Sequence, residues 1–384
     1  MLNHSSLHSE FERYKTESLF HRYITNRHIE SVLKRLPKSF EVSVIGQSVN
    51  DLPIYGIKLG SGDKRVLMWS QMHGNESTTT KACFDLLQYL MINKGILKCC
   101  TLYVIPILNP DGAKAYTRLN ANGVDLNRDA QDLTQPESVV LKSIFERFKP
   151  NFCFNLHGQR TIFSAGSTNN SATVSFLAPA QDPECTVTEN RKVAMELIAS
   201  MNKMLQNNIP NGVGIYDDAF NINCVGDTFQ SHNVPTVLFE AGHFKDDYAR
   251  EEVRKFIFGS LLVALDTISI NEHLGTQFKP YFDIPQNQKL FYDIIIRNAN
   301  VLIDSKEEVL DIAIQYEEVL MGEKVHFIPR IKDFGDLSKY FSHKEINANN
   351  KRVVLGENRA LRSESVIDFI TIDNELFSLK TTNN

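Results

Sequence analysis

The sequence has no run of about 18 apolar residues, the length a membrane-crossing helix needs. Its first twenty residues, MLNHSSLHSEFERYKTESLF, hold no apolar stretch of signal-peptide length. Together these absences lead us to expect a cytoplasmic protein with no membrane partner. A basic excess is missing too: 41 Lys and Arg stand against 46 Asp and Glu, for a net charge of -5. Nothing therefore draws the chain onto phosphate backbones or anionic lipid, and nucleic acid is not expected as a partner. Cysteine is sparse: Cys83, Cys99, Cys100, Cys153, Cys185 and Cys224 show no C-x-x-C spacing. That argues against both a disulfide framework and a cysteine zinc cluster. Most of them lie in or beside apolar segments and read as buried free thiols. What remains, at 384 residues with 42% hydrophobic and 23% charged, is an ordinary folded chain of two or at most three domains.

Along the chain, residues 8 to 36 read as an amphipathic helix stopped by Pro37. Residues 40 to 45 and 53 to 59 flank a polar turn and predict a hairpin, and RVLMWS at 65 to 70 predicts a buried strand. A helix over 78 to 90 and a strand over 102 to 108 then set the strand, helix, strand rhythm of an α/β sheet. Thr134 and Glu137, with Pro136 between them, predict a capping box opening a helix whose apolar face is Leu141, Ile144, Phe145 and Phe148. Strands at 152 to 156, 173 to 178 and 235 to 239 and helices at 187 to 205 and 248 to 266 complete the pattern. Beyond residue 270 the runs at 291 to 296, 311 to 316, 324 to 328, 352 to 355 and 366 to 372 are short and β-branched or alternating, separated by polar turns. A smaller β-rich domain is expected there, ending in a frayed tail, TTNN.

The segment WSQMHGNEST sets His73 and Glu76 three apart, after a buried strand and before a helix. Imidazole nitrogen and carboxylate oxygen are both good zinc donors, and such a crest lets the two point into one cavity. Catalytic zinc needs a third protein donor and one open position. His157, at the end of the strand FCFNLHGQR, is the candidate. Alone, an H-x-x-E pair or a histidine after a strand is weak evidence; the next segment supplies company. It reads LNPDGAKAYTRLNANGVDLNRDA, with a turn at Asn109 to Gly112 followed by Arg118, Asn127 and Arg128. A short buried strand, NVPTVLFEAGHF, then ends in Glu240.

In this order the motifs resemble the zinc carboxypeptidase family: H-x-x-E, N-P-D-G, N-R, a histidine after a strand, and a glutamate. The resemblance covers about residues 40 to 265. It implies that His73, Glu76 and His157 hold one Zn2+ per chain. It further implies that Glu240 is the general base, taking a proton from the attacking water and delivering it to the leaving amine. Asn127 and Arg128 would clamp the substrate's terminal carboxylate, and Arg118 would stabilise the oxyanion. The string R-x-N-x-x-G-V-D-L-N-R resembles the family's bacterial cell-wall-peptide branch. His243, three residues after Glu240, would support a ligand from behind or cap the following helix. Tyr216 and Asp227 fall in the region where the family carries a substrate tyrosine and a specificity residue, with neither role assigned.

The expected fold is therefore α/β, a mixed central sheet with helices on both faces, followed by a β-rich domain. The boundary is drawn as 1 to 274 and 275 to 384. The expected activity is zinc-dependent hydrolysis of the amide next to the free C-terminal carboxylate of a peptide, with cell-wall peptides among the candidates. The alternative is a zinc N-acyl amino acid deacylase of the aspartoacylase or succinylglutamate desuccinylase type, which also joins such a core to a β domain. A peptide or small amide is the expected partner.

Overall fold

The computed structural model describes residues 4–303, 306–357 and 360–381. The tail expected at 381 to 384 lies outside these residues beyond Thr381. Contacts divide the chain into two units, one formed by residues up to Gln159 with Ala172–Asn287, the other by Arg160–Ser171 with residues from Gln288 onward.

The first unit opens with two helices rather than the single one expected over 8 to 36: α1 (His4–Tyr14) and α2 (Asn26–Leu33). The break has a cause far along the chain. Buried Arg254 donates to the carbonyls of Thr16 (3.1 Å) and Leu19 (2.5 Å), and Asp85 accepts from the Thr16 N–H at 2.7 Å. These bonds hold the segment between the helices in a turn, closed by Leu19 N on the Thr16 carbonyl (3.0 Å). The antiparallel hairpin β1 (Glu41–Gln47) and β2 (Pro53–Gly60) follows as expected. Next come β3 (Lys64–Ser70), α3 (Thr78–Ile92), α4 (Gly95–Cys99) and β4 (Cys100–Ile105), with β3 and β4 parallel. β4 stops short of the expected Leu108 because Pro106 has no N–H to give the ladder.

Then come α5 (Pro110–Ala115), α6 (Pro136–Phe148) and β5 (Phe152–Gly158). The capping box expected at α6 does not form. Thr134 Oγ1 donates to Asp129 (2.7 Å), Glu137 accepts from Val49 N (3.3 Å) and Asn120 (3.2 Å), and Gln135 is the N-cap. Pro136 opens the helix as expected. A short strand, β6 (Phe163–Ala165), belongs to the second unit; the first resumes with β7 (Val174–Leu177), α7 (Glu189–Gln206) and β8 (Val213–Ile215). It ends with α8 (Val225–Ser231), β9 (Thr236–Ala241) and α9 (Glu251–Ile270).

The sheet order is β1-β2-β4-β3-β5-β9-β7-β8. Pairing is parallel through β4, β3, β5 and β9 and antiparallel at β1-β2, β2-β4 and β9-β7, so the sheet is mixed. Alternate residues of β3 enter different cores. Val66 and Met68 join the cluster that contains residues of α3, α7 and α9, whereas Leu67 and Trp69 join the one that contains residues of α6 and α8. Two covered faces explain why RVLMWS reads as an unbroken apolar run. On the α6 side Phe229 packs edge-on to Trp69 (5.4 Å) and stacks on Phe145 (4.0 Å). All six cysteines are free; Cys83, Cys100 and Cys153 are buried and Cys99 is exposed.

A short β10 (Asn287–Lys289) starts on the last residue of the first unit, and the second unit then holds four strands, β11 (Phe291–Ile303), β12 (Lys306–Met321), β13 (Lys324–Gly335) and β14 (Phe341–Asn347), arranged β13-β12-β11-β14. A smaller sheet holds β15 (Val353–Leu355), β16 (Phe369–Ile372) and β17 (Glu375–Ser378). This unit has its own core, with Ile294, Ile296, Ile312, Ile314, Ile331 and Ile370 buried in it.

Candidate metal centre

β3 and β5 are parallel neighbours, so their carboxyl ends lie side by side, the place where open α/β sheets gather ligands. The chain leaves β3 toward α3 through the loop that carries His73 and Glu76, and β5 ends with His157 and Gly158. The three side chains converge. His73 Nδ1 lies 3.0 Å from Glu76 Oε1, His157 Nδ1 lies 2.9 Å from Glu76 Oε2, and the two Nδ1 atoms are 3.1 Å apart. One donor atom from each residue lies within 4.8 Å of the others. Donors about 2 Å from a tetrahedral zinc sit roughly 3.3 Å from one another, so this N, N, O set fits the ion. The Gly158 N–H also donates to Glu76 Oε2 at 3.0 Å, which fixes the carboxylate toward β5.

Burial opposes charge on Glu76, yet His73 and His157 outweigh it and hold its carboxyl well below the usual range. For His73 burial works against protonation, but Glu76 and Asp125 prevail and lift it to about 9. His157 goes the other way, pushed down chiefly by burial. A metal ion held by these residues would displace the proton that His73 attracts, so its binding would release it.

Asp125 is the residue that sequence reasoning quoted but gave no part. Its Oδ1 accepts from His73 Nε2 at 3.0 Å and from Asn127 N at 2.9 Å, and its Oδ2 accepts from Arg118 Nε (3.1 Å) and Nη2 (3.0 Å). One carboxylate thus orients a metal donor and an arginine together. Arg118 Nη1 also reaches to 3.5 Å from Glu76 Oε1, so the exposed Arg118 sits at the rim of the donor set. Asn127 lies in the 3-10 turn Leu126–Arg128, its Oδ1 accepting from Val225 N at 3.1 Å. Arg128 is exposed, with Nη1 on the Asn127 carbonyl at 2.7 Å. Asp125 accepting the N–H two residues on is the one local signal that could have singled it out.

Glu240 pairs in register with His157 across the parallel β5 and β9, so both side chains leave the same face of the sheet. Burial, then the nearby Glu76 charge, raises its carboxyl far above the ordinary range. Glu240 Oε2 and His157 Nε2 are both buried with no hydrogen-bond partner among the described residues. Tyr216 belongs to the same neighbourhood: its hydroxyl donates to Gln159 Oε1 at 2.8 Å, and burial and the Glu240 charge raise its pKa. Buried Arg250 donates to the carbonyls of Ala241 and Gln159, tying the ends of the strands that carry Glu240 and His157. His243 packs its ring against Tyr248 at 4.7 Å, and the cap of α9 falls instead to Asp247, which accepts from Glu251 N (2.8 Å) and Val253 N (3.0 Å). Asp227, on α8, is buried and lies within the influence of the Arg128 charge.

Residues 25–188 match the profile of the zinc carboxypeptidase family, Peptidase M14. Carboxypeptidase SOL1 of Arabidopsis thaliana is 28% identical over 163 residues, covering 35% of this chain and 33% of that protein. Human (Homo sapiens) carboxypeptidase D is 23% identical over 188 residues, 40% of this chain and 14% of that protein. The chain thus spans a third or less of these curated relatives. Among solved structures, a Shewanella denitrificans protein assigned as a carboxypeptidase A superposes with a TM-score of 0.54 at 18% identity over 64% of this chain and 69% of that one. Carboxypeptidase A from Helicoverpa armigera gives 0.52 at 14% identity over 70% of this chain and 81% of that one. The likeness in structure shows the fold, and the profile match makes residues 25–188 of the chain similar to a zinc carboxypeptidase domain. No helix among the described residues is long and apolar enough to cross a membrane.

Proposed function

We propose that this protein is a zinc-dependent carboxypeptidase that hydrolyses the amide next to the free C-terminal carboxylate of a peptide, working in a catalytic domain read as residues 1 to 274. The observation that carries the reading is the convergence of His73, Glu76 and His157 beside a buried, unpartnered carboxylate oxygen of Glu240. One such donor group among the described residues supports one zinc per chain. When bound, zinc supplies a Lewis acid that polarises the scissile carbonyl and eases ionisation of the attacking water. Glu240 accepts the proton of that water and returns it to the departing amine. Arg118 donates to the oxyanion as charge develops on it, and Asn127 with Arg128 holds the terminal carboxylate.

Cell-wall peptides are the substrate class we favour within this activity, on the wording R-x-N-x-x-G-V-D-L-N-R over residues 118 to 128. The family profile and the relatives named above are of carboxypeptidases, which gives the deacylase alternative no support. Glu240→Gln tests the assignment of the base. It is expected to keep one zinc per chain while turnover drops by about 10²–10⁴-fold. Full turnover in that variant removes Glu240 from the mechanism.

A further inference from the structure

Gln71, two residues before His73, is fully buried and sits at φ 46, in the left-handed region where only glycine, asparagine and aspartate are common. Such a conformation persists where the surroundings over-determine it, and it clusters at functional sites. Here the surroundings are on view. The Gln71 side-chain amide donates to the carbonyls of Ile24 (3.0 Å) and Gly74 (2.8 Å), and its Oε1 accepts from Thr80 Oγ1 (2.7 Å). One side chain therefore ties the metal loop to itself, to α3 and to the segment before α2.

Four more carbonyls of this stretch are also answered. Ser70 O accepts from Leu108 N (3.0 Å), Gln71 O from Asn109 N (3.0 Å), and His73 O from Glu76 N (3.1 Å). Met72 O accepts from Asn109 Nδ2 (3.1 Å), while Asn109 Oδ1 takes the Gly112 N–H (2.8 Å). Asn109, itself fully buried, is thus the second half of the fastening. The two strands of chain are pressed together: a Cβ on Gly74 would stand 1.9 Å from the Gly112 carbonyl carbon.

We infer that Gln71 and Asn109 are positioning residues, a buckle that holds the His73 to Glu76 loop in its left-handed turn so that both donors meet His157 before the metal arrives. This gives the N-P-D-G turn a task at the metal centre, and it rests on reading His73, Glu76 and His157 as the zinc site. Neither residue touches the ion; each acts through the loop backbone.

The test compares Gln71→Gly, which removes the fastening and relaxes the backbone, with the parent and with His157→Ala. Zinc affinity is measured by competition with a chromophoric chelator, kcat and KM on zinc-saturated protein, and melting without metal. Gln71→Gly is expected to bind zinc about 10–100-fold more weakly, with kcat reduced and KM little changed, beyond the lower metal-free melting that the loss of three buried hydrogen bonds brings. A merely structural role would lower melting and leave affinity and kcat alone, which overturns the inference. Should Gln71→Gly not fold, Gln71→Asn carries the same test. It tolerates the left-handed turn but is one methylene too short to reach both carbonyls; parent-like affinity there contradicts the buckle. If His157→Ala keeps stoichiometric zinc, the metal reading itself has failed; if only Gln71→Gly is parent-like, the buckle alone has.

Discussion

Arg118 occupies an unusual position for an exposed side chain, held on Asp125 by two nitrogens and 3.5 Å from Glu76. A guanidinium fixed in that way can meet an oxyanion without reorganising, which is where donors act most strongly. Arg118→Ala is therefore expected to lower kcat by about 10²–10³-fold with a smaller change in KM. A variant with normal kcat and a raised KM would make Arg118 a ground-state binder instead. The sequence singled out His73, Glu76, His157 and Glu240 by the order of their motifs, since each alone was weak evidence, and the structure gathers the first three. Asp125 and Gln71 were not. The Asp125 bond to His73 joins residues 52 apart, and the Gln71 signal is a backbone angle that no residue-type pattern records.

Among the elements, β3, α3, β5 and β9 were readable because both periodicity and flanking turns agreed, and they carry or flank His73, Glu76, His157 and Glu240. The N-terminal helix failed as read because its amphipathic pattern runs on through the segment whose carbonyls Arg254 claims from 235 and 238 residues away. A partner so distant is invisible to a local pattern. On α8, burial raises the Asp227 carboxyl from 3.8 to about 6 against the Asn221 N–H and the Arg128 and Arg191 charges. The folded chain thus keeps this proton when the unfolded chain has lost it, so stability falls as pH rises from about 3.8 to about 6. Asp227→Asn is expected to flatten the stability profile of the metal-free protein over that window and to be the more stable form near neutrality. Denaturant titrations across the window check this; an unchanged slope would show that Asp227 is not the group responsible.

For the whole molecule, the sheet is mixed and covered by helices on both faces, and the β-rich second unit follows, as the composition shift near residue 270 implied. The donors come from two stretches, residues 73 to 76 and residue 157, so only the folded sheet presents them together. Zinc held by them is therefore expected to be coupled to folding. At about 1,000 times its dissociation constant a ligand adds about 4 kcal/mol, on the order of 10 °C in melting temperature for a unit of this size. Calorimetry with zinc and with a chelator is expected to show that difference, and a melting curve that zinc leaves unmoved contradicts the coupling. The proposed activity is defined by the bond that is cut. Mass-resolved product analysis of the zinc-loaded protein, with Glu240→Gln alongside, on one panel of C-terminally varied peptides, cell-wall peptides and N-acyl amino acids tests it most directly. Loss of a single C-terminal residue by the parent and not by the variant is the expected result. Cleavage of N-acyl amino acids alone would contradict it.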